Sequence, residues 1–513
     1  MERYNTALAG GYMQIPVCDK TVSTDLSGDF TLPDYQPEIK KLLRVTASVL
    51  PSSKYIGDGE AEFAGNVDYY VLYMGSDNGI YCAPLTADYK IDVPFDTSDL
   101  GDNGYLGGFT GNAVIGADMI SGRVTAPRKL SIKCRLKSRA EIFAEMPLED
   151  GFGASEEGIQ KLNCRTTVNR RTWGVGEMLR ISDEMICESG DSELRVISAE
   201  GKTLIGEITA MNGAVSCRGD LYLKFLLCRD GGGVPYTANR KIQFSQTVAV
   251  DGVTPGATAS ARGTVSEMGI TVEDGRIGID VGVIIEVESC REENISYVKD
   301  IYSTERKTEN KYKTVTMLAD GEEFSGNFTL SDSLALDDAN IARGSRVVDL
   351  GGVVYPEEYI FDADKCTIHG KAKFSLLLEK DGEYSVSDIE LPFAYRAATS
   401  GEFDRAISDG EIISARARVD DDRIGIDAEV GIHGSAAKGE SATMLAEVGF
   451  GEEIERDRGK IVICYPSGDD SLWSVAKRYG APLESLASIN SLQRSAEADS
   501  TKSLEGVKYL VVG

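Results

Sequence analysis

Few residues in this 513-residue chain are of the kinds that do chemistry, and their spacing argues against most of it. There are two histidines, His369 and His433. His369 is expected just before a strand and His433 at the end of one, where an exposed imidazole needs no ligand. No cysteine or histidine cluster has the spacing that holds zinc. Gly201-Lys202-Thr203 has the tail of a phosphate-binding loop, but that loop needs a glycine five positions earlier, where Val196 stands. A turn between strands is the better reading. Gly104-Tyr105-Leu106-Gly107-Gly108 is glycine-rich without a flanking strand–helix pattern and is read as a loop. A glycosidase needs two carboxylates facing across a bond, and among 82 acidic residues no pair is singled out. The expectation is a protein that is not an enzyme and carries no cofactor and no metal.

One charged pattern is more specific. Lys133, Arg135, Lys137 and Arg139 are spaced by two, so an extended strand puts all four on one face. Such a strip either pairs with neighbouring carboxylates or offers a basic contact to an acidic partner or a second copy. Its setting is acidic, with a net charge of −28, which repels nucleic acid and anionic membrane. No run approaches the 18 or so apolar residues of a transmembrane helix, and Met1–Lys20 lacks the basic-then-apolar pattern of a signal peptide. The ten cysteines include no C-x-x-C pair. They are expected to be reduced in a cytoplasmic protein.

The elements that carry these residues repeat. Arg276-Ile277-Gly278-Ile279-Asp280 returns 147 residues later as Arg423-Ile424-Gly425-Ile426-Asp427, and the same step back gives Leu130-Ser131-Ile132-Lys133-Cys134. In all three, apolar residues alternate, as in a strand with one buried face. A second landmark precedes each. Val67, Tyr69, Val71 and Tyr73 run towards Asn78-Gly79, Leu221, Leu223, Phe225 and Leu227 towards Asp230-Gly231, and Ala372, Phe374, Leu376 and Leu378 towards Asp381-Gly382. Asx-Gly is the favoured hairpin turn because its positions need positive φ. The chain is therefore expected to be mainly β, with three repeated antiparallel sandwich- or barrel-like domains. Their expected bounds are 25–150, 178–292 and 324–436, with an arm at 1–24 and linkers at 151–177, 293–323 and 437–460. Pro37 is expected to open a short helical turn before a strand at 45–50.

The last segment, 461–513, changes to β-α-α-β order. Ile461-Val462-Ile463-Cys464 reads as a strand, and Leu472, Val475, Ala476 and Tyr479 follow helical spacing, with Asp470 or Ser471 as cap. Gly480 ends that helix, and Pro482 opens a second that carries Leu483, Leu486, Ala487 and Ile489. With Asp470-Ser471-Leu472-Trp473 at the first helix, this segment closely resembles a LysM domain.

Three such β-repeats, with Pro33-Asp34-Tyr35-Gln36-Pro37-Glu38-Ile39-Lys40-Lys41-Leu42-Leu43 at the entry to the first, followed by a LysM domain, resemble the SipL-like family of spore-coat morphogenetic proteins, built from a repeated domain of unknown function. The resemblance implies a scaffold in the mother-cell cytoplasm, at the forespore surface, that docks a SpoIVA-like coat morphogenetic ATPase and other coat proteins through LysM. The other reading it leaves is a LysM protein that binds peptidoglycan or another N-acetylglucosamine-containing glycan of the wall or cortex. By the family pattern, the groove or docking candidates are Gly468, Asp469, Asp470, Ser471, Leu472 and Trp473 on the first loop, and Asn490, Ser491 and Leu492 on the second. The first loop has one residue more than the family pattern, and Gln493–Ser503 lengthens the approach to the last strand. Trp473, at the margin of the helical stripe, is expected to close the small core or to face the partner.

Overall fold

The computed structural model describes residues 11–512 apart from 58, 99–106, 149–151, 153–155, 187–193, 230–232, 363, 455–460 and 493–500. The three repeats share one plan of two antiparallel sheets packed face to face. In the first, β1 (Tyr12–Thr31), β7 (Lys129–Pro147) and β6 (Phe109–Ala126) form one sheet. The other holds β2 (Ile39–Val49), β3 (Ser53–Ile56), β4 (Glu60–Gly75) and β5 (Ile80–Pro94), with β4 in the middle.

In the second repeat the first strand is split into β8 (Ile159–Val175) and β9 (Leu179–Ile186). Both pair with β14 (Arg276–Ser303), which also pairs with β13 (Thr258–Glu273). The facing sheet is β10 (Leu194–Met211), β11 (Ala214–Arg229) and β12 (Tyr236–Ala249). The third repeat sets β15 (Arg306–Ala335), β20 (Arg423–Glu453) and β19 (Arg405–Val419) against β16 (Arg346–Asp362), β17 (Lys365–Lys380) and β18 (Glu383–Ala398).

The alternation read from the sequence is what closes each sandwich. Ile277, Ile279, Val281, Val283 and Ile285 are all buried, as are Leu130, Ile132, Cys134 and Leu136, and Ile424, Ile426, Ala428, Val430 and Ile432. They meet the second landmark across the sandwich, for example Leu221, Leu223, Phe225 and Leu227. Each large side chain so buried contributes about 1.5–3 kcal/mol. The hairpin turns need left-handed backbone, and Asp274 (φ 50°) with Gly275 (φ 73°), and Asp381 (φ 51°) with Gly382 (φ 80°), supply it.

The repeats close a ring. Strand β5 lies beside β10, β12 beside β16, and β18 of the last repeat beside β2 of the first. Corresponding side chains make the joints: Arg195 Nη1 donates to the Ile80 carbonyl (3.1 Å), and Lys41 Nζ donates to that of Tyr384 (2.7 Å). Where the three second sheets converge, Leu72, Leu226 and Leu377 form a shared core with Ile80, Ile197, Cys228, Val348 and Tyr384. Beside it sits a four-charge set from all three repeats. Arg44 pairs with Asp349 (2.6 Å) and Glu200 (3.4 Å), and Lys224 pairs with Asp349 (2.9 Å) and Glu200 (3.1 Å). Two cations meet two anions, which is how buried charge is tolerated.

The segments expected to be linkers are strands. Strand β8 occupies most of 151–177, β14 and β15 run through most of 293–323, and β20 continues to Glu453. The expected arm is the start of β1. These extensions pair as long two-stranded stems that share a second three-way core of Met13, Ile15, Val168, Ile295, Val315 and Met444 among others. Their other face is charged and open to water, so the whole stretch reads as polar. Pro37 opens no helix either, because β2 begins at Ile39.

Candidate functional site

The C-terminal domain builds its site on a short sheet and two helices. Strands β21 (Val462–Cys464) and β22 (Leu510–Val512) pair antiparallel, Val462 opposite Val512. Helix α1 (Leu472–Tyr479) starts at Ser471, whose hydroxyl accepts from Ser474 N–H while Ser474 bonds back, and it stops at Gly480 in the left-handed region (φ 61°). Helix α2 (Leu483–Ile489) follows Pro482. Leu472, Val475, Ala476, Leu486 and Leu510 fill the core, whereas Tyr479 and Ile489, expected inside, are 39% and 52% exposed.

The first candidate loop is held from within. Asp470 accepts from the Ser467 N–H (2.9 Å) and from the Arg478 guanidinium, and these bonds pull its carboxyl down to about 2. Ser503 Oγ donates to the Gly468 carbonyl (2.7 Å), and Leu504 N–H donates to that of Asp470 (2.8 Å). On the second loop, Asn490 Nδ2 donates to the Val511 carbonyl (2.8 Å), and its Oδ1 accepts from Val511 N–H (2.7 Å). Leu472 is fully buried, and Ser471, Asn490 and Leu492 are half-buried. What these loops present outward is Gly468, Asp469 and Ser491, the last with φ 54°. Of the lengthened approach, 493–500 lies outside the described residues, and Ser503 is the part seen against the first loop.

Trp473 does face a partner, but the partner is the stem of the second repeat. The indole is 5% exposed, meets Tyr302 edge-on at 4.9 Å, and donates from Nε1 to Asp300 Oδ2 (2.8 Å). Lys477, one turn on, donates to both Asp300 oxygens (2.6 and 2.8 Å), and Tyr302 Oη donates to the Ala481 carbonyl (2.8 Å). Leu162 of β8 joins the same core. Of the two roles expected for Trp473, it closes the small core, extended here by Tyr302 and Leu162 of the stem. The outward role is corrected: its one donor and much of its area are spent inside the chain. Sequence reasoning missed this seat because Asp300 and Tyr302 lie in a stretch taken for a linker. The signal available was the strand alternation of Ile295, Tyr297, Ile301 and Met317 within that polar segment.

The basic strip exists as a face of β7. Arg135 pairs with Asp25 (2.7 Å), and Arg139 pairs with Asp19 (3.1 Å) and donates to the Ala406 carbonyl of the third repeat (2.6 Å). Lys133 and Lys137 are exposed. His369 lies within β17 rather than before a strand, and His433 is half-buried, where desolvation lowers its pKa. Gly201-Lys202-Thr203 is mid-strand in β10, not a turn, and Thr203 Oγ1 donates to the Gly263 carbonyl (2.5 Å). In Gly104–Gly108 the first three positions lie outside the described residues. Among the described residues no group of three or more His, Cys, Asp or Glu is placed to hold a metal ion.

Comparison with known families agrees with this division. Residues 194–273, in the second repeat, match the SipL SPOCS domain, and residues 467–496 match the LysM domain. No curated protein and no solved structure matches the chain. The chain thus carries a sporulation-type SPOCS domain within an all-β body and a LysM domain after it. No described helix is long and apolar enough to cross a membrane.

Proposed function

We propose that this protein is a non-enzymatic scaffold of endospore coat assembly, acting in the mother-cell cytoplasm at the forespore surface. The ring of repeats is the platform, and the LysM domain docks a SpoIVA-like coat morphogenetic ATPase and other coat proteins. The observation that carries the reading is the seat: Asp300 and Tyr302 hold α1 in one orientation on the stem through Trp473 and Lys477. A module that samples a polymer gains from a loose tether, whereas one that adds a partner to a platform gains from fixed geometry. The SPOCS match supports the sporulation setting, and the LysM match supports a binding rather than a catalytic role.

The second reading is N-acetylglucosamine-polymer binding, favoured by the LysM match and by the outward Gly468, Asp469 and Ser491. Titration calorimetry of the full chain with a purified SpoIVA-like ATPase, and separately with chito-oligosaccharides, distinguishes the two. Binding to the ATPase is expected. Binding to the glycan with none to the ATPase would overturn the scaffold reading.

A further inference from the structure

The 147-residue step and the matched strand pairing allow the outer faces of the first and second repeats to be compared position by position. Where β7 carries Lys133, β14 carries Asp280. Opposite Arg135 on β1 stands Asp25, and at the corresponding place opposite Gly282 on β9 stands Arg180. The third strand agrees. Both β6 and β13 slip register by one residue at the same point, and there Met119 in the first repeat corresponds to Glu267 in the second. One backbone surface therefore appears twice, once with an excess of cations at its centre and once with an excess of anions.

Repeat-internal pairing does not consume the first face. Asp25 and Asp19 answer Arg135 and Arg139. Among the described residues, no carboxylate lies within ion-pair distance of the exposed Lys133 or Lys137. On the second face Asp280 is exposed, accepts from Ser182 Oγ (3.4 Å) and lies 3.8 Å from Arg180, which pairs more closely with Glu267 (2.9 Å). Two carboxylates thus share one guanidinium, and the face keeps an excess of negative charge. The third repeat is a poorer match, because Arg416 stands directly across from its Asp427.

We propose that the outer face of the first repeat, centred on Lys133 and Lys137, docks on the outer face of the second repeat, centred on Glu267 and Asp280, of a second copy of this chain. The contact is heterologous, so it propagates from copy to copy rather than closing in a pair. A net charge of −28 makes the copies repel at long range. At physiological ionic strength that repulsion is screened beyond about 8 Å, leaving the contact pairs to act. The association is weak and suits a protein concentrated on a surface.

Sedimentation velocity of the full chain tests this over a range of concentrations. At physiological ionic strength the weight-average mass should rise with concentration, and at about 1 M salt, where screening reaches about 3 Å, it should return to the monomer. The charge-reversed pairs Lys133→Glu/Lys137→Glu and Glu267→Lys/Asp280→Lys should each stay monomeric, and their equimolar mixture should associate again. Lys133→Gln/Lys137→Gln should weaken association and serves if a reversed variant does not fold. A wild-type chain monomeric at every concentration, or association indifferent to these substitutions, would overturn the proposal. A chain that stays monomeric while its strip captures polyglutamate would show that the face takes a different acidic partner, and would equally overturn it.

Discussion

Asp300 takes side-chain hydrogen bonds from Trp473, Lys477, Tyr312 and Asn310, two of them reaching across from the LysM domain. Burial alone would raise its carboxyl, but the bonds from Lys477, Tyr312 and Trp473 outweigh that and hold it below the usual range. A carboxyl depressed in the folded state lends stability above its unfolded pKa of about 3.9 and loses it as pH falls further. Asp300→Ala should therefore loosen the seat by about 2 kcal/mol, the worth of hydrogen bonds to a charged group. Faster amide exchange in α1 and red-shifted Trp473 emission, read in a Trp173→Phe background, would report it. Unchanged exchange and emission would mean that Tyr302 and Leu162 suffice. Glu323 has the opposite sign: burial and the neighbouring Glu288 push it up to about 7 against the pull of Arg171. Its raised pKa costs stability increasingly between pH of about 4.5 and 7, with the full cost above that. Glu323→Gln should raise stability at pH 8 by on the order of 1 kcal/mol and flatten the slope of Tm across that window. A slope equal to wild type would assign the dependence elsewhere, Glu411 being the first candidate, since its carboxyl is also raised to about 7.

Strands divide here into private and shared lengths, and substitutions should tell them apart. Ile279 lies in the core of its own sandwich, whereas Leu226 lies where three sheets meet. Each cut to alanine should cost about 2–5 kcal/mol. Only Leu226→Ala should also speed exchange in β4 and β17, since Leu72 and Leu377 lose their common neighbour. The private lengths were legible in the sequence because alternation over Ile277–Ile285 or Leu221–Leu227 is uninterrupted and its partner lies in the same repeat. The shared lengths were not. Along β15 the apolar residues Val315 and Met317 stand among charges, and what buries them arrives from β1, β8 and β20, far away in sequence. Capping shows the same split. Ser471 and Gly480 bracket α1 by local rules, whereas the seat beneath α1 depends on Asp300, some 170 residues away.

At the scale of the molecule, nine cysteines are described and all nine are free; Cys187 lies outside the described residues. Burial pushes Cys82 up to about 12, and Cys217, Cys290 and Cys366 up to about 11, so little thiolate exists at neutral pH. Native protein should react slowly with a disulfide reagent, and denatured protein should release ten thiols. Fewer than ten after denaturation under non-reducing conditions would reveal a bridge and favour an exported protein.

The contact of β18 with β2 also has a place in time. The ribosome delivers the first repeat complete, with its own sandwich core, but the neighbour that covers Lys41 on β2 is about 250 residues behind it. At 5–20 residues per second the newborn edge waits about 10–50 s in water. During that interval a chain emerging from an adjacent ribosome on the same message offers the same missing strand. Fidelity of synthesis for this protein therefore turns on whether a chain meets its own tail before it meets its neighbour's.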